Sequence, residues 1–292
     1  MAGVNDDTMT ESEPESATAR KTDSTTIRKT DSATTRSSEG TDDSRSGVVV
    51  DGVGKTYYGG EPVRALDDVT FSVADGEFVC LVGPSGCGKT TLFRVIAGLI
   101  DATDGQVLLN GTPVTGPTTE MGVVFQEYHL FPWRTVAGNV AFGLERIGLS
   151  DTERADRVEE MLELVGLADF RDAYPKSLSG GMKQRVAIAR ALAVDPHLLL
   201  MDEPFGAVDA QTREMLQREL LDVWSSTGKT VLFVTHDVDE AVTLADRIVV
   251  MAAEPGRVRE VVDVDVDRPR RRDDPAFGDH VARIRELIGA TR

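Results

Sequence analysis

Phe78-Val79-Cys80-Leu81-Val82-Gly83-Pro84-Ser85-Gly86-Cys87-Gly88-Lys89-Thr90-Thr91 sets an apolar run against a glycine-rich turn that ends in Lys-Thr-Thr. The run reads as a strand buried on both faces. After it, Leu92, Val95, Ile96 and Leu99 recur at helical spacing. Residues 83–90 therefore fit G-x-x-x-x-G-K-[ST] between a strand and a helix, the context that a phosphate-binding loop requires. Gly83, Gly86 and Gly88, with Pro84, Ser85 and Cys87 between them, let consecutive backbone N–H groups turn inward on phosphate oxygens. The helix that follows directs its positive end to the same point. Lys89 reaches the terminal phosphates, the Thr90 hydroxyl can ligate Mg²⁺, and Thr91 extends the binding set along the helix.

Working outward, two further short apolar runs read as buried parallel strands, 198–201 and 231–234. The first runs into Asp202-Glu203-Pro204 and the second into Thr235-His236-Asp237. Asp202 can hold Mg²⁺, and Glu203, one residue on, can orient or activate an attacking water. By itself His236 is as well read as a structural histidine. Its place at the end of a third buried strand changes that, because open parallel sheets bind ligands at the carboxyl ends of their strands.

Around this centre the pattern is that of an α/β chain. Strands are expected at 48–53 and 69–73, with a hairpin turn at Asn110-Gly111. Ser150 and Glu153 form a capping box ahead of Val158, Met161, Leu162 and Val165, and Gly166 ends that helix. A crossover helix is expected over 212–224, a half-exposed strand where Val262, Val264 and Val266 alternate with aspartates, and a last helix from Asp274-Pro275 carrying Val281, Ile284, Leu287 and Ile288.

The chain has 292 residues and a formal net charge of -17, from 49 acidic against 32 basic side chains. Such a surface repels a nucleic-acid backbone, and no nucleic-acid partner is expected. Only seven of the basic residues are lysine, and the dense carboxylates are read as adaptation to high salt. Residues 1–46 hold eighteen Ser or Thr, no aromatic residue, and the near-repeat RKTDSTTI-RKTDSATT over 20–35. Too little apolar area is available there to offset chain entropy, so this acidic segment is read as a disordered tail. Arg268-Pro-Arg-Arg-Arg272, the one basic cluster, reads as a solvated linker. Cys80 and Cys87 lie too close in the strand and its loop to form a plausible staple, which fits a reducing cytoplasm. No apolar run approaches the length needed to cross a bilayer.

Between the phosphate loop and the Asp-Glu strand stands Leu178-Ser179-Gly180-Gly181-Met182-Lys183-Gln184-Arg185. Ser179 and the two glycines open an apolar helix with Val186, Ile188 and Leu192, a second helix N-terminus suited to an anion. With this stretch the chain resembles the ATP-binding subunit of an ABC transporter over roughly residues 47–290. The resemblance implies a phosphate-loop ATPase core with a mainly parallel sheet, an N-terminal antiparallel β subdomain and an inserted helical subdomain at about 127–178. It implies ATP and Mg²⁺ as cofactors, adenine stacking by Tyr57, and a nucleotide sensor at Gln126 that also contacts the metal. It further implies a head-to-tail dimer, of two copies or of paralogues, in which Ser179, Gly180, Gly181 and Asp209 reach the nucleotide held by the other subunit. Glu203 would align water and His236 would contact the γ-phosphate.

Downstream of Gln126 the chain reads Glu127-Tyr-His-Leu130-Phe131-Pro132-Trp133, then Thr135-Val-Ala-Gly-Asn139-Val140. This is similar to import ATPases of the nitrate, sulfonate and taurine group. An aromatic stretch of this kind suits a groove for a helix of a membrane partner. The implied partners are an integral-membrane permease and, through it, an extracytoplasmic substrate-binding protein, with the chain on the cytoplasmic face of the membrane. The alternative is a soluble ABC ATPase such as a cluster-assembly ATPase.

Overall fold

The computed structural model describes residues 46–206 and 208–289. Of the tail expected over 1–46, only Ser46 falls inside them. In chain order the strands are β1 (Ser46–Tyr57), β2 (Val63–Ala74), β3 (Phe78–Val82), β4 (Asp104–Leu109) and β5 (Thr112–Pro113). They continue with β6 (Met121–Val124), β7 (Leu198–Asp202), β8 (Thr230–Val234), β9 (Arg247–Ala252) and β10 (Arg257–Asp263). The helices are α1 (Lys89–Ile96), α2 (Val136–Leu144), α3 (Asp151–Leu164), α4 (Gly180–Ala193), α5 (Ala210–Thr227), α6 (Val238–Leu244) and α7 (Pro275–Gly289). Strands β2-β1-β4-β5 form an antiparallel sheet. The second sheet runs β10-β9-β3-β8-β7-β6, parallel throughout except for β10. Between β6 and β7 lie α2, α3, two short 3₁₀ turns and α4, with no strand. The chain is thus α/β, with a mainly parallel sheet, an antiparallel β layer and a helical insertion.

The apolar runs are continuous because each strand serves two cores. Along β3, Phe78, Cys80 and Val82 face the helical side with α4, α5 and α6, while Val79 and Leu81 face α1 and the antiparallel sheet. β7, β8 and β9 divide their side chains in the same way. The two cysteines are buried and free. Among the described residues no helix is long and apolar enough to cross a membrane.

Local signals in the sequence have local outcomes. Asn110 and Gly111 take φ of 49° and 75° in the two-residue turn between β4 and β5, the pairing that a tight hairpin turn favours. Ser150 and Glu153 make the reciprocal capping box of α3. Other expectations are corrected. α1 ends at Ile96, so Leu99 lies past the helix and is exposed; the chain turns away through Gly98 at φ 67°. β10 stops at Asp263, and Val264 is buried beyond it without strand pairing. The basic cluster is only partly solvated. Arg268 pairs with Asp246 at 2.6 Å and covers the Trp224 ring, and Arg270 donates to the carbonyls of Val242, Ala245, Val264 and Val266. Burial pushes the Arg270 guanidinium down to about 10, yet its planar fork closes the loop that leads to α7.

Candidate active site

The strand order β3-β8-β7 sets three carboxyl ends side by side. They meet in a cleft of about 560 Å³ lined by Ser85, Gly86, Gly88, Lys89, Thr90 and Thr91 on one side, and by Glu203 and His236 on the other. Ala65, which no motif singled out, completes the wall. Gly88 stands at φ 89°. A Cβ there would lie 2.7 Å from Leu66 Cδ2 and 2.9 Å from the Ala65 carbonyl, so only glycine lets the loop approach β2 this closely.

Lys89 is almost fully buried. Its Nζ donates to the Gly83 carbonyl at 2.8 Å and the Pro84 carbonyl at 3.1 Å, and lies 3.7 Å from Cys87 Sγ. Gly83, Pro84 and Cys87 are therefore the back of the loop that holds the lysine, and they do not line the cleft. Burial pushes the Cys87 thiol up, with Lys89 opposing. No side chain caps the start of α1, which leaves its first turn of N–H groups and one lysine for an anion.

Asp202 ends β7, half buried, with its carboxyl pushed up to about 6 by burial first and by Glu203 second; Arg94 and Lys89 pull the other way. A cation beside it would favour the charged form and draw that value back down. Glu203 adopts a left-handed φ of 44°, and its N–H donates to the Val234 carbonyl at 2.8 Å. Its Oε2 lies 3.0 Å from His236 Nδ1. Among the described residues no cluster of three or more His, Cys, Asp or Glu could hold a metal unaided. Thr90 lines the cleft and Asp202, which does not, ends the strand beside it; a hydroxyl and a carboxyl are donor types that Mg²⁺ takes from protein, with phosphate and water oxygens filling the rest of its shell.

The remaining expected residues divide. Tyr57 reaches the loop, with its hydroxyl 3.4 Å from Thr91 Oγ1 and Lys55 Nζ 5.5 Å from its ring centre; Tyr58 is far more exposed. Gln126 follows β6 and sits beside Gly206, where a Cβ would lie 3.1 Å from its Nε2, outside the cleft lining. Ser179 Oγ caps α4 by accepting from the Met182 N–H at 3.2 Å, and Gly180 and Gly181 open that helix. Asp209 caps α5, and hydrogen bonds from the Thr212 hydroxyl and N–H hold its carboxyl below the usual range. Ser179, Gly180, Gly181 and Asp209 stand apart from the cleft of their own chain.

A second surface lies in the insertion. Phe131 packs against Phe142 at 4.4 Å and Trp133 at 5.6 Å between ring centres. The Arg134 and Arg190 guanidiniums stand over these rings. Trp133 is 72% exposed. Buried Asn139 fixes this turn: its Oδ1 accepts from the Phe131 N–H at 2.7 Å and its Nδ2 serves the carbonyls of Phe131, Arg134 and Thr135. Upstream, Tyr128 and His129 both have positive φ, and Arg190 holds their carbonyls at 2.7 and 2.6 Å. Sequence reasoning missed Arg190, since a lone arginine on a helix carries no local mark.

Residues 66–206 match the family model described as ABC transporter. An ABC transporter ATP-binding protein of Methanocaldococcus jannaschii is 54% identical over 231 residues, covering 79% of this chain and 86% of that one. An aliphatic sulfonates import ATP-binding protein of Bacillus cereus is 46% identical over 232 residues, covering 79% and 91%. Among solved structures, a dimeric ATP-binding cassette in a post-hydrolysis state with ADP and Pi superposes with a TM-score of 0.65 at 35% identity, covering 75% of this chain and all of the other.

Proposed function

Because the chain belongs to the ABC transporter ATP-binding family and is an ATPase, we propose that it is the motor subunit of an importer for a small oxyanion-bearing solute such as a sulfonate, taurine or nitrate. The observation that carries the importer reading is the exposed Trp133 on the rigid Phe131–Phe142 cluster. An apolar ledge locked by a buried asparagine suits a helix of an integral-membrane permease. The likeness to the sulfonate import protein supports the substrate class.

In this reading ATP lies along the loop 83–91, with adenine on Tyr57 and the γ-phosphate between Lys89 and His236. Lys89 leaves the Gly83 and Pro84 carbonyls to meet the phosphates. Thr90, Asp202 and Gln126 would hold Mg²⁺, which would neutralise charge developing on the phosphoryl oxygens. Glu203 orients the attacking water and accepts its proton, and His236 stabilises the transferring group. Ser179, Gly180, Gly181 and Asp209 act across the interface on the nucleotide of the facing subunit. That none of them lines the cleft of its own chain supports that role, as does the dimeric state of the solved cassette. A substrate-binding protein outside the membrane would deliver solute to the permease, with this chain peripheral on the cytoplasmic side.

The test is recovery from membranes. The wild-type chain is expected to co-purify with a multi-span permease, and a Phe131→Glu/Trp133→Glu variant of unchanged Tm is expected to lose it. Recovery of the wild type solely in the soluble fraction contradicts the importer reading and leaves the ATPase untouched.

A further inference from the structure

The loop that carries His236 is fixed from behind by a buried carboxyl. Glu240 is 4% exposed on α6, three residues after the Asp237 cap. That spacing invites a capping box, with the glutamate turned back to the N–H of its cap residue. Glu240 turns inward instead. Its Oε2 accepts from the Thr235 hydroxyl at 2.5 Å and its Oε1 from Gln217 Nε2 at 2.9 Å. The Thr235 Oγ1 in turn accepts from the Asp237 N–H at 3.0 Å, and Asp237 Oδ1 accepts from the Glu240 N–H at 3.2 Å. His236 is thus strung between two residues that Glu240 holds, one by its side chain and one by its backbone. Gln217 is itself buried on α5. The same helix meets the turn again where Arg213 pairs with Asp237 at 3.3 Å.

A buried carboxyl is costly, and an apolar residue of similar size would fill this space more cheaply. Burial pushes the Glu240 carboxyl up from its ordinary range despite both hydrogen bonds. The geometry offers such a carboxyl a use beyond packing: the residue before His236 and the residue after it are both tied to α5.

We infer that Glu240 is the positioning residue for His236, a strut on α6, tied to α5 through Gln217, that keeps the imidazole beside Glu203. The inference rests on the role proposed above for His236. Glutamine can replace it, because the Gln217 amide can turn over to accept from the new N–H₂ while the new carbonyl still accepts from Thr235.

The test compares ATP turnover, ATP binding and Tm in the full chain carrying Glu240→Ala, Glu240→Gln, Thr235→Val, His236→Ala and the double variant His236→Ala/Glu240→Ala. Glu240→Ala and Thr235→Val are expected to lower kcat by about tenfold or more, since small misplacements of a reacting group are expensive, while ATP affinity stays within about twofold. Glu240→Gln is expected to recover most of the rate. The double variant is expected to be no slower than His236→Ala, because the strut has nothing left to position. A Glu240→Ala protein of lowered Tm but full kcat overturns the inference, as does a double variant slowed by both factors. If Glu240→Ala does not fold, Thr235→Val and its double with His236→Ala decide by the same criteria. Should His236→Ala turn over normally, the role of His236 fails by itself, and any rate loss in Glu240→Ala then overturns the strut as well.

Discussion

His236 Nδ1 lies 3.0 Å from Glu203 Oε2, bridging residues 33 apart in the chain. A carboxylate can only accept, so Nδ1 donates and Nε2 is left to the cleft. The backbone repeats the connection, since the Glu203 N–H donates to Val234. Glu203 and His236 are thus one unit built across the ends of β7 and β8. Replacing His236 with alanine is expected to lower phosphate release on the order of 100-fold with ATP binding retained. Stopped-flow phosphate detection beside a nucleotide titration measures both.

Asp202 introduces a pH dependence. Its carboxyl is pushed up to about 6 by burial and by Glu203. From the ordinary carboxylate value up to about 6, the folded chain therefore keeps a proton that the unfolded chain has released. Stability without nucleotide is expected to fall as pH rises through that window. Asp202→Asn is expected to flatten this part of the Tm–pH curve. Mg²⁺ with ATP favours the anion and is expected to reverse the slope; an Asp202→Asn curve that overlays the wild type contradicts the assignment.

Tyr57 and Tyr58 separate cleanly. Tyr57 touches Thr91 of the loop, whereas Tyr58 is largely solvated. Tyr57→Ala is expected to weaken ATP binding by about threefold to tenfold, the loss of one aromatic stack. Tyr58→Ala is expected to leave it unchanged. Isothermal titration with a slowly hydrolysed analogue distinguishes them.

Asn139 makes four hydrogen bonds to the turn under Phe131 and Trp133. Asn139→Ala takes away the side-chain partner of the part-buried Phe131 N–H and Arg134 carbonyl, while the Phe131 and Thr135 carbonyls keep the N–H groups of Arg134 and Asn139, a loss of about 1–3 kcal/mol. Chemical denaturation is expected to show that loss. Membrane recovery is expected to fall in parallel, because the aromatic ledge loses its support.

The features legible in the sequence are those with a local cause. The phosphate loop, the Asn110-Gly111 turn and the Ser150–Glu153 box each depend on neighbours along the chain, and each forms where it was read. The strand order is different. Residues 248–251 are as apolar as the runs of β7 and β8, yet their place beside β3 follows from a crossover that no short pattern encodes. The same holds for charge. Arg268 and Arg270 read as solvated because a basic run usually is, but three of the carbonyls they serve, those of Leu244, Val242 and Ala245, lie in or just after α6, more than twenty positions upstream. Glu240 carried a visible signal, the cap spacing after Asp237, but its partner Gln217 depends on how α5 lies against α6. The roles proposed across a dimer interface are the least legible, since Ser179 and Asp209 each have a sufficient duty as helix caps in their own chain.

The most direct measurement is ATP turnover and assembly state of Glu203→Gln. The substitution keeps the shape of the side chain and removes its ability to take a proton from water. The account predicts that the variant binds ATP as the wild type does, hydrolyses it at least about 100-fold more slowly, and accumulates as an ATP-bound dimer in size-exclusion chromatography. Turnover at the wild-type rate would contradict the assignment of Glu203, and with it the mechanism built on the Glu203–His236 pair.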